Sequence, residues 1–153
     1  MDKLTFTTTI DAPAAHVWRV LFEDATYREW TTEFAEGSYA VTDWKEGSKA
    51  LFLSGTGEGM VSRVAAHRPN EFLSLEHLGM VKDGVEDLQS AVSEGWAGAH
   101  ENYTLKPLGD ARVELTVEMD TLPAHREYFE KTWPKALGKL KSIAEREQAR
   151  TAS

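Results

Sequence analysis

Hydrophobic and polar positions alternate from the start of the chain. Leu4, Phe6, Thr8 and Ile10 take one phase and Thr5, Thr7 and Thr9 the other, the period of a strand rich in β-branched residues. Asp11-Ala12-Pro13 ends it, and Pro13 suits the first turn of a helix, where its missing N–H costs little. Ala14, Val17, Trp18 and Leu21 then recur at helical spacing and predict a helix that packs by one face. Asp24 is a candidate N-cap for a second short helix carrying Tyr27 and Trp30 on one side. After Gly37 the period returns to two. Tyr39–Val41, Ala50–Leu53 and Met60–Val64 are separated by the turn signals Asp43/Gly47 and Gly55-Thr56-Gly57, and Phe72–Leu78 follows the turn signal Pro69-Asn70. The strongest hairpin joins Trp96–Lys106 through Pro107-Leu108-Gly109-Asp110 to Arg112–Met119, with Val113, Leu115, Val117 and Met119 on one face. Residues 79–95, with Gly79, Gly84 and Gly95 among charged residues, predict a long loop over a cavity mouth.

The last pattern is again helical. Phe129, Trp133, Ala136/Leu137, Leu140 and Ile143/Ala144 form a continuous stripe on a helix of roughly 23 residues. Such a face needs a broad apolar surface, and the preceding strands can supply one only as a curved antiparallel sheet. The fold class is therefore α+β, and a sheet wrapped around a helix tends to enclose a pocket. Pro134 lies inside the stripe, so either the helix kinks near Trp133 or a second helix opens there. The unbroken phase favours one kinked helix. From about Arg146 the tail is polar and is expected to fray.

Composition narrows the setting. A chain of 153 residues is expected to form one domain, ordered over about 3–147, and 41% hydrophobic with 27% charged residues is ordinary for a globular protein. The absence of cysteine excludes disulfides, thiolate metal sites and cysteine nucleophiles. The N-terminal residues carry no apolar secretion core and no stretch approaches a membrane span, so cytoplasmic residence without membrane insertion is expected. A net charge of −8 without a basic patch argues against nucleic acid. Lys131, Lys135, Lys139 and Lys141 read as a solvated helix face.

Ile10-Asp11-Ala12-Pro13-Ala14-Ala15-His16-Val17-Trp18 resembles the strand-to-helix opening of the START-like, birch-pollen-allergen-like helix-grip superfamily (SRPBCC). Tyr27-Arg28-Glu29-Trp30, Asp43-Trp44-Lys45-Glu46-Gly47-Ser48, Gly59-Met60-Val61 and the ending from Trp133-Pro134 to Ala144-Glu145 resemble its bacterial branch related to activators of a heat-shock-chaperone ATPase. The resemblance implies a seven-stranded antiparallel sheet gripping the terminal helix, a cavity between them, and two short helices closing one end. Members include lipid and hormone binders, polyketide cyclases and chaperone co-activators. The last role uses additional chain in larger relatives.

The candidate inner faces are rich in rings: Trp30, Phe34, Phe52, Trp96, Tyr103, Phe129 and Trp133, with Met119 in the same phase. They either fill the core or wall a cavity for a small hydrophobic ligand. Glu101 shares the phase of Tyr103 and Leu105. It is either an inward carboxylate, its pKa raised by desolvation, or it lies at the strand's end or is re-phased by a bulge near Gly98. His77 shares the phase of Leu73 and Leu75 and is either a second cavity group or a satisfied core histidine. These two are the candidate acid/base residues. His67, His77, His100 and His125 show no metal-ligand spacing, Gly55-Thr56-Gly57-Glu58-Gly59 lacks the context of a phosphate loop, and no activated-serine motif is present, so no metal or cofactor is expected. Three functions follow in order: a binder of an aromatic, acyl or lipid-like molecule, a cavity enzyme using Glu101 and His77, and a chaperone-ATPase interaction module. Oligomeric state is not readable from these patterns.

Overall fold

The computed structural model describes residues 1–152, and of the side chains of residues 148–152 nothing is described. The polar tail from about Arg146, expected to fray, instead continues as helix to Ala152. In chain order the elements are β1 (Asp2–Ile10), α1 (Ala14–Phe22), α2 (Asp24–Trp30), β2 (Tyr39–Val41), β3 (Lys49–Leu53), β4 (Gly59–Arg68), β5 (Phe72–Lys82), β6 (Val85–Asp87), α3 (Gln89–Glu94), β7 (Ala99–Pro107), β8 (Val113–Thr121) and α4 (Arg126–Ala152). The strands form one antiparallel sheet in the order β1-β8-β7-β5-β4-β3-β2, with β6 added to β5. Seven strands were expected; the short β6 makes eight.

The period-two signals set the register. β8 alternates strictly between buried and half-buried positions, and β1 pairs along its whole length from Asp2 opposite Thr121 to Ile10 opposite Val113. Leu4, Leu73, Leu75, Leu105, Leu115 and Val117 thereby face one side, where Trp133, Ala136, Leu137, Leu140, Ile143 and Ala144 of α4 are buried. Each large side chain removed from water on that seam is worth about 1.5–3 kcal/mol. α4 runs through Pro134 as one helix. The corner between β1 and α1 is fastened to its far end. The Asp11 N–H donates to Glu145 Oε2 at 2.9 Å, Lys141 Nζ reaches the Thr9 carbonyl at 2.8 Å, and His16 Nε2 lies 3.0 Å from the Ala144 carbonyl. The Asp11 amide and the Lys141 ammonium hold the Glu145 carboxyl below its ordinary range. Lys141 is thus a fastener rather than part of a solvated face, and Lys139 donates to Thr32 Oγ1 at 2.7 Å.

Three expectations need correction. Residues 79–95 are not a long loop: β5 continues to Lys82, turns through Asp83 (φ 52°) and Gly84 (φ 77°), and returns as β6. A two-residue Asp-Gly turn with both φ values positive matches strand twist, so that dipeptide was a hairpin signal. α3 follows, its first turn held by Asp87, which accepts from the Ser90 N–H and hydroxyl, and it ends at left-handed Gly95. Asp24 is not a cap. Glu23 closes α1 and opens α2, leaving no spacer, and Asp24 instead pairs with Arg28 at 2.9 Å. The strand expected from Trp96 starts at Ala99, because α3 and the left-handed Gly98 (φ 90°) precede it.

Two glycines predict opposite stability effects. A Cβ on Gly59 would lie 1.8 Å from the Phe52 carbonyl oxygen across the β3–β4 pair. Gly59→Ala should therefore cost about 2–3 kcal/mol through backbone displacement. Gly138 is exposed within α4 with open space at its Cβ, so Gly138→Ala should add about 0.8–1 kcal/mol of helix propensity. Urea denaturation midpoints should move in opposite directions, and a Gly59→Ala midpoint equal to the parent's would refute the steric argument.

Candidate functional site

Above the buried seam, sheet and helix diverge and leave a cavity of about 650 Å³. The short helices supply its near wall: Trp30 at the end of α2, fixed by its indole N–H to the Leu21 carbonyl at 3.2 Å, and Phe34 after the following 3-10 turn. Phe52 comes from β3, Tyr103 from β7 and Met119 from β8. Phe129 and Trp133, one turn apart on α4, form the roof. Trp133 packs on Phe34 at 4.8 Å between centroids and on Trp30 and Tyr103 at 6.1 Å, while its indole N–H points at Met119 Sδ, 2.9 Å away. Trp96 also lines the cavity, its indole N–H donating to Glu94 at 3.0 Å.

One polar array interrupts these apolar walls. His77 on β5 is buried, and its Nε2 lies 3.3 Å from Glu101 Oε1 on the neighbouring strand β7. The other Glu101 oxygen accepts from the Tyr103 hydroxyl. On the far side His77 Nδ1 lies 2.7 Å from the hydroxyl of Ser62, directly opposite on β4 and fully buried. Every polar atom is satisfied if Ser62 donates to Nδ1 and Nε2–H donates to a Glu101 carboxylate. Burial, and then the Glu101 charge, push the Tyr103 phenol well above its ordinary pKa, and the enclosed Tyr27 phenol is raised for the same two reasons.

The structure brings together all the residues singled out for the cavity: Trp30, Phe34, Phe52, His77 and Trp96, with Glu101, Tyr103, Met119, Phe129 and Trp133. The bulge considered near Gly98 does not turn Glu101 outward, since β7 holds regular register against β5 and β8 from Ala99. His100 and Asn102, in the opposite phase, meet Ser74 outside the cavity. His67 holds the Trp44 carbonyl at 2.6 Å, and His125 stands on the cavity lining. Ser62 and Tyr27 were missed. Tyr27 had a signal, since it shares a helix face with Trp30. Among the described residues no group of acidic and histidine side chains could hold a metal ion, and no helix is long and apolar enough to cross a membrane.

The buried Tyr103 phenol and the half-buried Tyr27 phenol predict an alkaline transition. Their folded pKa values lie above the unfolded value, so the stability they contribute is complete below about pH 10 and is lost as pH rises through the folded values. The tyrosinate absorbance of Tyr27 and Tyr103 should therefore appear only together with unfolding. In Tyr103→Phe the fall of stability above about pH 10 should be shallower. An unchanged slope in urea melts at increasing pH would contradict the assignment.

Comparison with known proteins gives this geometry a family. Residues 11–145 match the family described as Activator of Hsp90 ATPase homolog 1-like protein. A sequence comparison with curated proteins gives no match. Among solved structures, protein MLL2253 from Mesorhizobium loti superposes with a TM-score of 0.72 at 19% identity, over 95% of this chain and 98% of that one. The Aha1 dimer from Colwellia psychrerythraea gives 0.67 at 18% identity, over 95% and 97%. DynU16, from the dynemicin biosynthetic locus, gives 0.70 at 16% identity over 95% of this chain and 48% of its own. At such identities these likenesses establish the helix-grip fold. The family match covers most of the chain, which therefore belongs to the Activator of Hsp90 ATPase homolog 1-like family, within the helix-grip superfamily that its opening and closing residues resemble.

Proposed function

We propose that this protein binds one small hydrophobic molecule in the cavity between its sheet and α4. The observation that carries this is the combination of volume and wall: about 650 Å³ lined by rings from five separate elements, α2, β2, β3, β7 and α4. Small-molecule sites commonly occupy about 300–1,000 Å³, with apolar walls and a few placed polar groups. Here those groups are His77, Glu101 and the Tyr103 hydroxyl, and their fixed partners pre-set their directions.

A second reading, acid–base chemistry on the bound molecule, draws on the same array. Glu101 is an acceptor within hydrogen-bond distance of two donors at the cavity surface, and His77 is the neighbouring group that could take or return a proton. Alanine replacement of both residues should then abolish any turnover found. The family's description also brings a chaperone-ATPase reading to this chain, which stimulation of Hsp90 ATPase by the purified protein would test.

For the binding reading, the neutral dye N-phenyl-1-naphthylamine should show saturable, one-to-one fluorescence enhancement. Ala99 lines the cavity in the phase of Glu101 and Tyr103. Filling the space with Ala99→Phe should weaken dye binding at least about tenfold, the order expected when an apolar site is occluded. A linear, unsaturable signal from the parent protein would sink the reading.

A further inference from the structure

The charge of the cavity is one-sided. Glu58, Glu94, Glu101 and Asp120 stand among its described lining residues, and no lysine or arginine does. Three of these carboxylates have engagements of their own. Glu58 has Lys82 at 3.9 Å, Glu94 accepts the Trp96 indole N–H, and Asp120 accepts the His100 N–H at 3.0 Å. Glu101 differs in position: its side chain is only 17% exposed and stands on the inner, ring-lined face of β7.

Its two partners leave room for a further donor. A carboxylate offers about four lone-pair sites. Tyr103 occupies one on Oε2 and His77 one on Oε1, and acceptor capacity remains on both oxygens at the cavity surface. On its other side the His77 ring is engaged by the Ser62 hydroxyl, 2.7 Å from Nδ1, so Glu101 is held by one imidazole and one phenol and by no lysine or arginine. Neighbouring rings add to the preference for positive charge: Phe52 lies 6.4 Å from the His77 ring, and Tyr103 shares its hydroxyl with Glu101 itself. Aromatic faces attract cations, most strongly where water is excluded. A ligand carboxylate would instead meet a like charge with no lysine or arginine to balance it.

We propose that the cavity selects an amine: a hydrophobic, preferably aromatic molecule whose primary ammonium group is held by the Glu101 carboxylate while its apolar body lies under Trp133 and Phe129. This rests on the binding reading above and narrows its ligand class, placing fatty acids and other acyl carboxylates among the disfavoured ligands.

Three probes with one aromatic body separate the outcomes: 1-naphthylmethylamine, 1-naphthylmethanol and 1-naphthoate, titrated calorimetrically at neutral pH and moderate salt. The amine should bind at least about tenfold more tightly than the alcohol, the scale of one charge-assisted hydrogen bond, and the carboxylate more weakly than either. In Glu101→Gln the amine should fall to the level of the alcohol, and unchanged alcohol binding would report an intact cavity. A variant that lost alcohol binding as well would be replaced in the comparison by Glu101→Asp. That variant keeps the charge and should keep an amine preference. Equal binding of amine and alcohol by the parent, tighter binding of the carboxylate, or a preference that survives Glu101→Gln overturns the amine assignment alone. If none of the three probes binds, the cavity reading falls and this one with it.

Discussion

Burial of Trp133 is the contact on which both halves of the molecule depend. Its ring lies 2% exposed at the meeting point of α4, the inner face of the sheet and the end of α2, touching Phe6, Trp30, Phe34 and Tyr103. Toward the C-terminus of the helix, Ala136, Leu137, Leu140 and Ile143 fill the space against the sheet completely. Toward the N-terminus the filling stops, and Phe129 one turn earlier is a wall rather than a plug. The same indole therefore closes the core and roofs the cavity. That double role also explains why Pro134 is tolerated in the next position. A proline in a helix interior costs about 3 kcal/mol, whereas Trp133, Leu137, Leu140 and Ile143 each return about 1.5–3 kcal/mol by burial on one continuous face. Ending the helix at Trp133 would forfeit more than the lost hydrogen bond.

The polar array has the opposite thermodynamic character. Ser62, His77, Glu101 and Tyr103 occupy inward positions that apolar residues of similar size could fill without any desolvation penalty. They are held by mutual satisfaction, and among the described residues no buried side-chain polar atom lacks a partner. A complete network of this kind is rigid, and removing one member exposes the others to the full cost of an unpaired group. Stability alone does not call for it. Placed on a cavity surface, it supplies direction and charge that rings cannot, and this separates the site from the apolar core beneath Trp133.

Much of this was legible in the chain because two periods suffice to orient most side chains. Alternation through Val113–Met119 and the three-and-four spacing from Phe129 to Ala144 dictated which faces turn inward, and Glu101 and His77 came inward with their strands. Ser62 was not legible for a definite reason. The register between β4 and β5 shifts between Val61 and Ser62 and again between Val64 and Ala66, so a phase counted along β4 fails at the residue that matters. The hairpin at Asp83-Gly84 was hidden differently: β6 is three exposed residues long, too short for any period to emerge from its polar surroundings. The array itself joins three adjacent strands, and no local pattern encodes a contact between Ser62, His77 and Glu101.

Fold likeness and the polar chemistry of the cavity are therefore carried by different residues. The family match spans residues 11–145, and the superpositions at 16–19% identity each cover 95% of this chain. A scaffold shared so widely at such identity constrains the shape of the cavity and leaves its chemistry open. In this chain the chemistry is concentrated where three strands bring an imidazole and a phenol against one carboxylate, within walls whose described lining holds no lysine or arginine. Net charge does not dictate that arrangement, since a chain at −8 still carries 17 lysines and arginines, any of which a different strand phase would have turned inward. The sign of the cavity follows from strand register, so it is a property of the site and not of the composition.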